Sequence, residues 1–108
     1  MNNKILSLLG FATKAGKLSF GFEASAQSIN SSKAQLVLVA EDISPKSLKE
    51  IRFFAEKKGI KIFILKGIEI KALSTAVGRK CGIVSVNEVG FAKALEKVLI
   101  EGGFANDK

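Results

Sequence analysis

"QLVLVAEDISP", Gln35–Pro45, carries a continuous apolar segment straight into two adjacent carboxylates and a serine–proline pair. Leu36, Val37, Leu38 and Val39 do not alternate with polar residues, as a strand with one solvated face would. An unbroken apolar run of strand length reads as a central strand covered on both faces, so helices are expected above and below the sheet. Ser44-Pro45 then reads as a helix start. The Ser44 hydroxyl is placed to accept from free backbone N–H groups, and proline suits the first helical position. Glu41 and Asp42 stand between strand and helix. They are either an acid–base pair at the mouth of an enzyme site or carboxylates where a buried strand comes out into water.

Working outward, Leu48, Ile51, Phe54 and Ala55 line the helix begun at Pro45. It stops at "KKG" (57–59), with basic residues in the last turn and Gly59 free to turn left-handed. "IKIFIL" (60–65) is the next strand. A short helix follows, with Ile70, Leu73 and Val77 inward, ending near Gly78. "GIVSV" (82–86) is another strand, and Asn87 is expected to cap a last helix lined by Phe91, Leu95, Val98 and Leu99. Toward the N-terminus, Ile5, Leu8, Leu9 and Ala12 predict a helix over 3–14, ended by "AGK" (15–17). "KLSF" leads as an extended piece to Gly21, after which Phe22, Ala26 and Ile29 mark one face of a second helix. Helix, then strand and helix in alternation, predicts an α/β fold: a three-layer α/β/α sandwich on a four-stranded mixed sheet. A chain of 108 residues without linker or repeat is expected to be one domain, 1–108, with 102–108 as a frayed tail.

Composition limits the chemistry. Hydrophobic residues make up 47%, enough for a shared core, while 17 Lys and Arg against 10 Asp and Glu give a net +7. A surplus of that size on a small surface favours a polyanionic partner, usually nucleic acid. The excess lies in the body of the chain: residues 1–87 hold 14 basic and 6 acidic side chains, residues 88–108 only 3 and 4. There is no histidine, which excludes the commonest general base, the usual triads and His-ligated metals. The single Cys81 forms no intrachain disulfide and suits a reducing cytoplasm. "MNNKILSLLGFATKAG" has too short an apolar run for a signal peptide, with Thr13 and Lys14 where small cleavage-site residues belong. No stretch approaches a membrane span. A cytoplasmic monomer is expected, with no metal and no cofactor.

Two motifs fail on inspection. "GFATKAGK" (10–17) has five residues between its glycines where a phosphate loop has four, and Leu18 stands where Ser or Thr would bind magnesium. It also follows a helix rather than a strand. Cys81, between Lys80 and Gly82, is a thiolate near cations or a small buried filler; with no histidine to act as base, the filler is favoured.

Three segments share a composition that suits binding at one edge of a layered sheet: "SFGFE" (19–23), "AEDIS" (40–44) and "TAVGRKCG" (75–82). Each offers backbone N–H groups, a glycine or a helix start beside a few polar side chains, and the third adds Arg79 and Lys80. Such a surface grips phosphates while small side chains admit a splayed base.

"GFATKAGKLSFGFE", "KAQLVLVAEDISP", "EKKGIKIFIL" and "LSTAVGRKCGIVSV", in this order, resemble the kink-turn RNA-binding family of large-subunit ribosomal proteins. The resemblance is strongest to its small bacterial members of the YlxQ type and covers about residues 4–100. It implies a compact α/β/α domain that binds structured, sharply bent RNA carrying sheared G·A pairs, ribosomal or other non-coding, without catalysis. Glu23 matches the family's glutamate at the start of the second helix, which accepts from a guanine edge. Glu41, Asp42 and Ile43 match the loop after the central strand. Ala76, Val77 and Gly78 match the turn that packs against the extruded nucleotide, with Arg79 following as a phosphate partner. The family's asparagine before the glutamate and its lysine three residues after are here Phe22 and Ala26. Gln27 is the substitute polar group, with charge from Lys17 or Lys33. The implied RNA-binding set is therefore Lys17, Phe20, Gly21, Phe22, Glu23 and Gln27; Glu41, Asp42 and Ile43; and Thr75 to Lys80, meaning Thr75, Ala76, Val77, Gly78, Arg79 and Lys80.

One alternative keeps the fold but not the kink-turn specificity: a ribosome-associated or scaffolding domain with general RNA binding. Another is a small enzyme using Glu41, Asp42 or Glu23 with Lys80. It would need a closed pocket and a raised carboxyl pKa, whereas neighbouring cations act in the opposite direction.

Overall fold

Leu36 to Ala40 are buried at every position, and the strand they form lies inside the sheet, as its lack of alternation predicts. The computed structural model describes residues 2–106. Their order is α1 (Asn2–Lys14), β1 (Leu18–Phe20), α2 (Phe22–Asn30), β2 (Leu36–Ala40), α3 (Pro45–Lys58), β3 (Ile62–Leu65), α4 (Ile70–Val77), β4 (Ile83–Val86) and α5 (Val89–Glu101). The sheet runs β1-β4-β2-β3. β2 pairs parallel with β3, and β4 pairs antiparallel with both β1 and β2. The sheet is mixed because α3 returns the chain in a parallel crossover, while β4 enters from the same edge at which β2 leaves.

Two cores follow from the alternate faces of β2. Leu36, Leu38 and Ala40 pack with Ile5 and Leu9 of α1, Leu73 of α4, and Leu95 and Leu99 of α5. Val37 and Val39 pack on the other face with Ile29 of α2 and with Ile51 and Ala55 of α3. The three-layer arrangement is thus the direct result of one strand that is apolar on both sides.

Helix ends obey local chemistry. Ser44 accepts from Ser47 N–H at 3.1 Å, and Pro45 begins α3. At its other end Gly59 is left-handed (φ 68°). There Gly59 N–H bonds the Glu56 carbonyl and Ile60 N–H the Ala55 carbonyl, the paired closure of a Schellman turn. That closure occupies Ile60, so β3 starts at Ile62 rather than at residue 60.

The expected cap of α5 needs correction. Glu88, not Asn87, caps α5: its carboxylate accepts from Phe91 N–H at 2.8 Å. Asn87 N–H is still bound to the Lys17 carbonyl (2.8 Å), which keeps Asn87 on the ladder between β1 and β4. Its side chain instead accepts from Ser85 Oγ (2.9 Å) and donates to Ser19 Oγ (2.8 Å). Beyond α5 the chain keeps contact with the fold at two residues. Phe104 packs on the core and its N–H bonds the Leu99 carbonyl at 2.9 Å. Asn106 Oδ1 accepts from Ile62 N–H at 2.9 Å, satisfying a donor on edge strand β3. Of the stretch expected to fray, Phe104 and Asn106 make these contacts, and Asp107 and Lys108 lie outside the described residues.

Candidate functional site

The strand directions bring four connections to one edge of the sheet. β1, β2 and β3 end there and β4 begins there. Backbone bonds tie the connections together. Gly21 N–H donates to the Ile83 carbonyl at 2.7 Å, Ala40 N–H to the Gly82 carbonyl at 2.8 Å, and Glu41 N–H to the Ile68 carbonyl at 2.9 Å. Gly82 is where they close most tightly: a Cβ there would lie 2.7 Å from Ile43 Cδ1 and 3.2 Å from Ile70 Cγ1. Gly21 (φ 88°) and Gly78 (φ 75°) turn the chain at this edge in conformations that side chains resist.

Glu41 and Asp42 hold backbone. Glu41 Oε1 accepts from Gly67 N–H at 3.0 Å, and Asp42 Oδ1 accepts from Ile70 N–H at 2.7 Å. Asp42 thereby caps α4 from another element, where the helix's own Glu69 makes no side-chain cap. Both carboxylates are exposed. A general base needs a desolvated pocket, so the pair is better read as clamps on the connection between β3 and α4. Ile43 is half-buried against the second core.

The turn after α4 carries the positive charge. The Arg79 guanidinium lies over the Phe20 ring, 5.0 Å from its centroid, a cation–π contact that fixes a flexible cation at the edge. Ser74 Oγ accepts from Cys81 N–H at 3.0 Å and donates to the Cys81 carbonyl at 3.2 Å, closing the turn from behind. Gly78 and Lys80 are exposed. Thr75 and Ala76 belong to the last turn of α4 rather than to a loop, and they open onto a groove beside α1. Val77 is buried and supports the turn from the core. Cys81 is a buried filler, and burial pushes its thiol pKa up.

α2 presents a different mixture. Gly21 is its N-cap without a side-chain cap bond, so no capping side chain takes up the first-turn N–H groups at the positive end of the helix. Glu23 and, one turn on, Gln27 are exposed on the same side. Phe22 is half-buried and meets Phe54 of α3 edge-on at 6.3 Å. Ala26 is buried beneath it.

Lys17 is not brought to this edge. It precedes β1 and stands at the opposite end of the sheet, beside Glu88. The Glu88 pKa is lowered by the Phe91 and Gly90 backbone N–H groups first and by Lys17 after them. Sequence reading did not assign individual roles to Gly82 and Ser74, although both shape the site: Gly82 faces the Ile43 and Ile70 side chains, and Ser74 holds the Cys81 backbone. Among the described residues no group of three or more His, Cys, Asp or Glu side chains is placed to hold a metal ion. No described helix is long and apolar enough to cross a membrane.

Comparison with known proteins agrees with this geometry. The family model described as "Ribosomal protein L7Ae/L30e/S12e/Gadd45 family" matches residues 3–96. An RNA-binding protein YlxQ of Enterococcus faecium is 31% identical over 99 residues, covering 92% of this chain and 93% of that protein. The large ribosomal subunit protein eL30 of Saccharomyces cerevisiae is 27% identical over 84 residues, 76% of this chain and 79% of its own length. Among solved structures, a 15.5kD RNA binding protein of Giardia lamblia superposes with a TM-score of 0.78 at 17% identity, over 93% of this chain and 85% of that one. That last likeness shows the fold.

Proposed function

This chain belongs to the ribosomal protein L7Ae/L30e/S12e/Gadd45 family, and from that premise we propose that it is a non-catalytic RNA-binding protein of the ribosomal-protein type that recognises kinked RNA. The observation that carries the reading is the sheet edge where two positive-φ glycines, a helix start without a side-chain cap and an Arg79 stacked on Phe20 lie together. Backbone N–H groups and cations hold phosphates, and Glu23 accepts from a guanine edge in a G·A pair. Gly78 leaves room for an extruded nucleotide. The protein would act in the cytoplasm, as a monomer, on ribosomal or other non-coding RNA.

One observation favours a second reading. Phe22 is committed to Phe54, at a position where a donor and an acceptor would serve base recognition. On that reading the chain binds RNA generally, through phosphates, as a ribosome-associated scaffold. Ultraviolet cross-linking in cells, followed by sequencing of the bound RNA, separates the two. Kink recognition predicts enrichment of bulged helices with tandem G·A pairs; general binding predicts no shared motif.

A further inference from the structure

Beside α1 and α4 runs an open groove of about 800 Å³. Its floor is apolar, with Phe11 and Ala76 among its lining, and its charged lining consists of Lys14 and Lys71 without a carboxylate. The two helices come close at Gly10, where a Cβ would make an ordinary van der Waals contact, 3.5 Å, with the Ala76 carbonyl. Phe11 is 60% exposed there, so a large flat ring faces solvent in a groove whose lining also holds two cations. An exposed ring flanked by basic side chains is the arrangement that takes a single-stranded nucleotide, with the base on the ring and the phosphates on the cations. An acidic amphipathic peptide shares part of that chemistry. RNA is favoured because the groove adjoins the turn assigned above: Thr75 and Ala76 line it, and the chain leaves that helix at once into Gly78, Arg79 and Lys80.

We propose that this groove extends the RNA surface and holds an unpaired nucleotide flanking the bent segment, its base stacked on Phe11 and its phosphates at Lys14 and Lys71. The proposal rests on the RNA-binding reading. Its test uses two RNAs with the same bent segment, one blunt and one with short unpaired extensions on both strands. Wild type binds the extended RNA about tenfold more tightly, the scale of one base–aromatic stack. Phe11→Ala abolishes that gain and leaves affinity for the blunt RNA unchanged. Lys14→Gln combined with Lys71→Gln lowers the log–log salt slope for the extended RNA alone, by roughly 0.7 per lost contact. Photoreactive uridine in the extension cross-links to the peptide containing Phe11.

A gain that is absent in wild type, or that survives Phe11→Ala, overturns the proposal. If blunt-RNA binding still depends on Arg79 and Lys80 in that case, the groove assignment fails and the RNA reading stands. If it does not, both fail. An RNase-resistant complex with an acidic protein, lost in Phe11→Ala, also overturns the proposal and gives the groove to a protein partner.

Discussion

The turn after α4 and the start of α2 lie side by side on one edge, yet they are built for different tasks. The turn holds its cation ready: Arg79 rests on Phe20, and Ser74 locks the backbone behind it. The α2 start offers Glu23 and backbone donors, but its neighbouring aromatic, Phe22, faces Phe54 rather than the edge. On the reading proposed above, gripping phosphate and reading bases would be separable. Phosphate contacts set affinity and its salt dependence, while base contacts set preference.

The largest effect expected is on the turn. Arg79→Ala combined with Lys80→Ala should weaken binding to kinked and straight RNA alike, by roughly tenfold per lost contact near 0.1 M salt, with the log–log salt slope falling by roughly 0.7–0.9 for each. Titration across salt concentrations measures this. A folded double mutant with an unchanged slope would put the RNA surface elsewhere.

Next in size is the clamp beneath both regions. Asp42→Ala leaves Ile70 N–H and the start of α4 uncapped and should cost about 1 kcal/mol in denaturant unfolding. No change in the unfolding midpoint would show that water replaces the cap without loss.

The smallest effect lies at the far end of the sheet, away from the comparison, and serves as its control. The Glu88 pKa is lowered in the folded protein, so this carboxylate contributes stability above its unfolded value. That contribution fades as pH falls through the folded value. Glu88→Gln should therefore be less stable than wild type near neutrality and no different once both are measured well below the ordinary carboxylate value of 4.5. RNA preference should not change. A destabilisation that persists in acid would mean that the charge is irrelevant to the cap.

What could be read in the sequence followed the range of the interactions involved. β2 was legible because burial on both faces removes alternation from five consecutive residues. α3 was legible at both ends because Ser44, Pro45 and Gly59 act on their own backbone. Asn87 and Glu88 are both able to cap, and the choice between them depends on whether Asn87 N–H is still held by Lys17, far away in the chain. The contact of Asn106 depends in the same way on a distant partner, the edge donor at Ile62. Within the site, the glycines and the Arg79 turn stood out by composition. The duty of Asp42 toward Ile70 did not, since it joins elements 28 positions apart. Lys17 lies away from the edge because a three-residue strand separates the two.

The central claim is that Glu23 reads bases while the turn after α4 grips phosphate. It is tested most directly by titrating wild type and Glu23→Ala against a kinked RNA with tandem G·A pairs and a matched straight duplex. Wild type should prefer the kinked RNA, and Glu23→Ala should lose about 1–3 kcal/mol of that preference, the scale of a hydrogen bond to a charged group, while keeping its affinity for the duplex. Equal binding of both RNAs by wild type, with no effect of Glu23→Ala on either, would contradict the account and leave general RNA binding in its place.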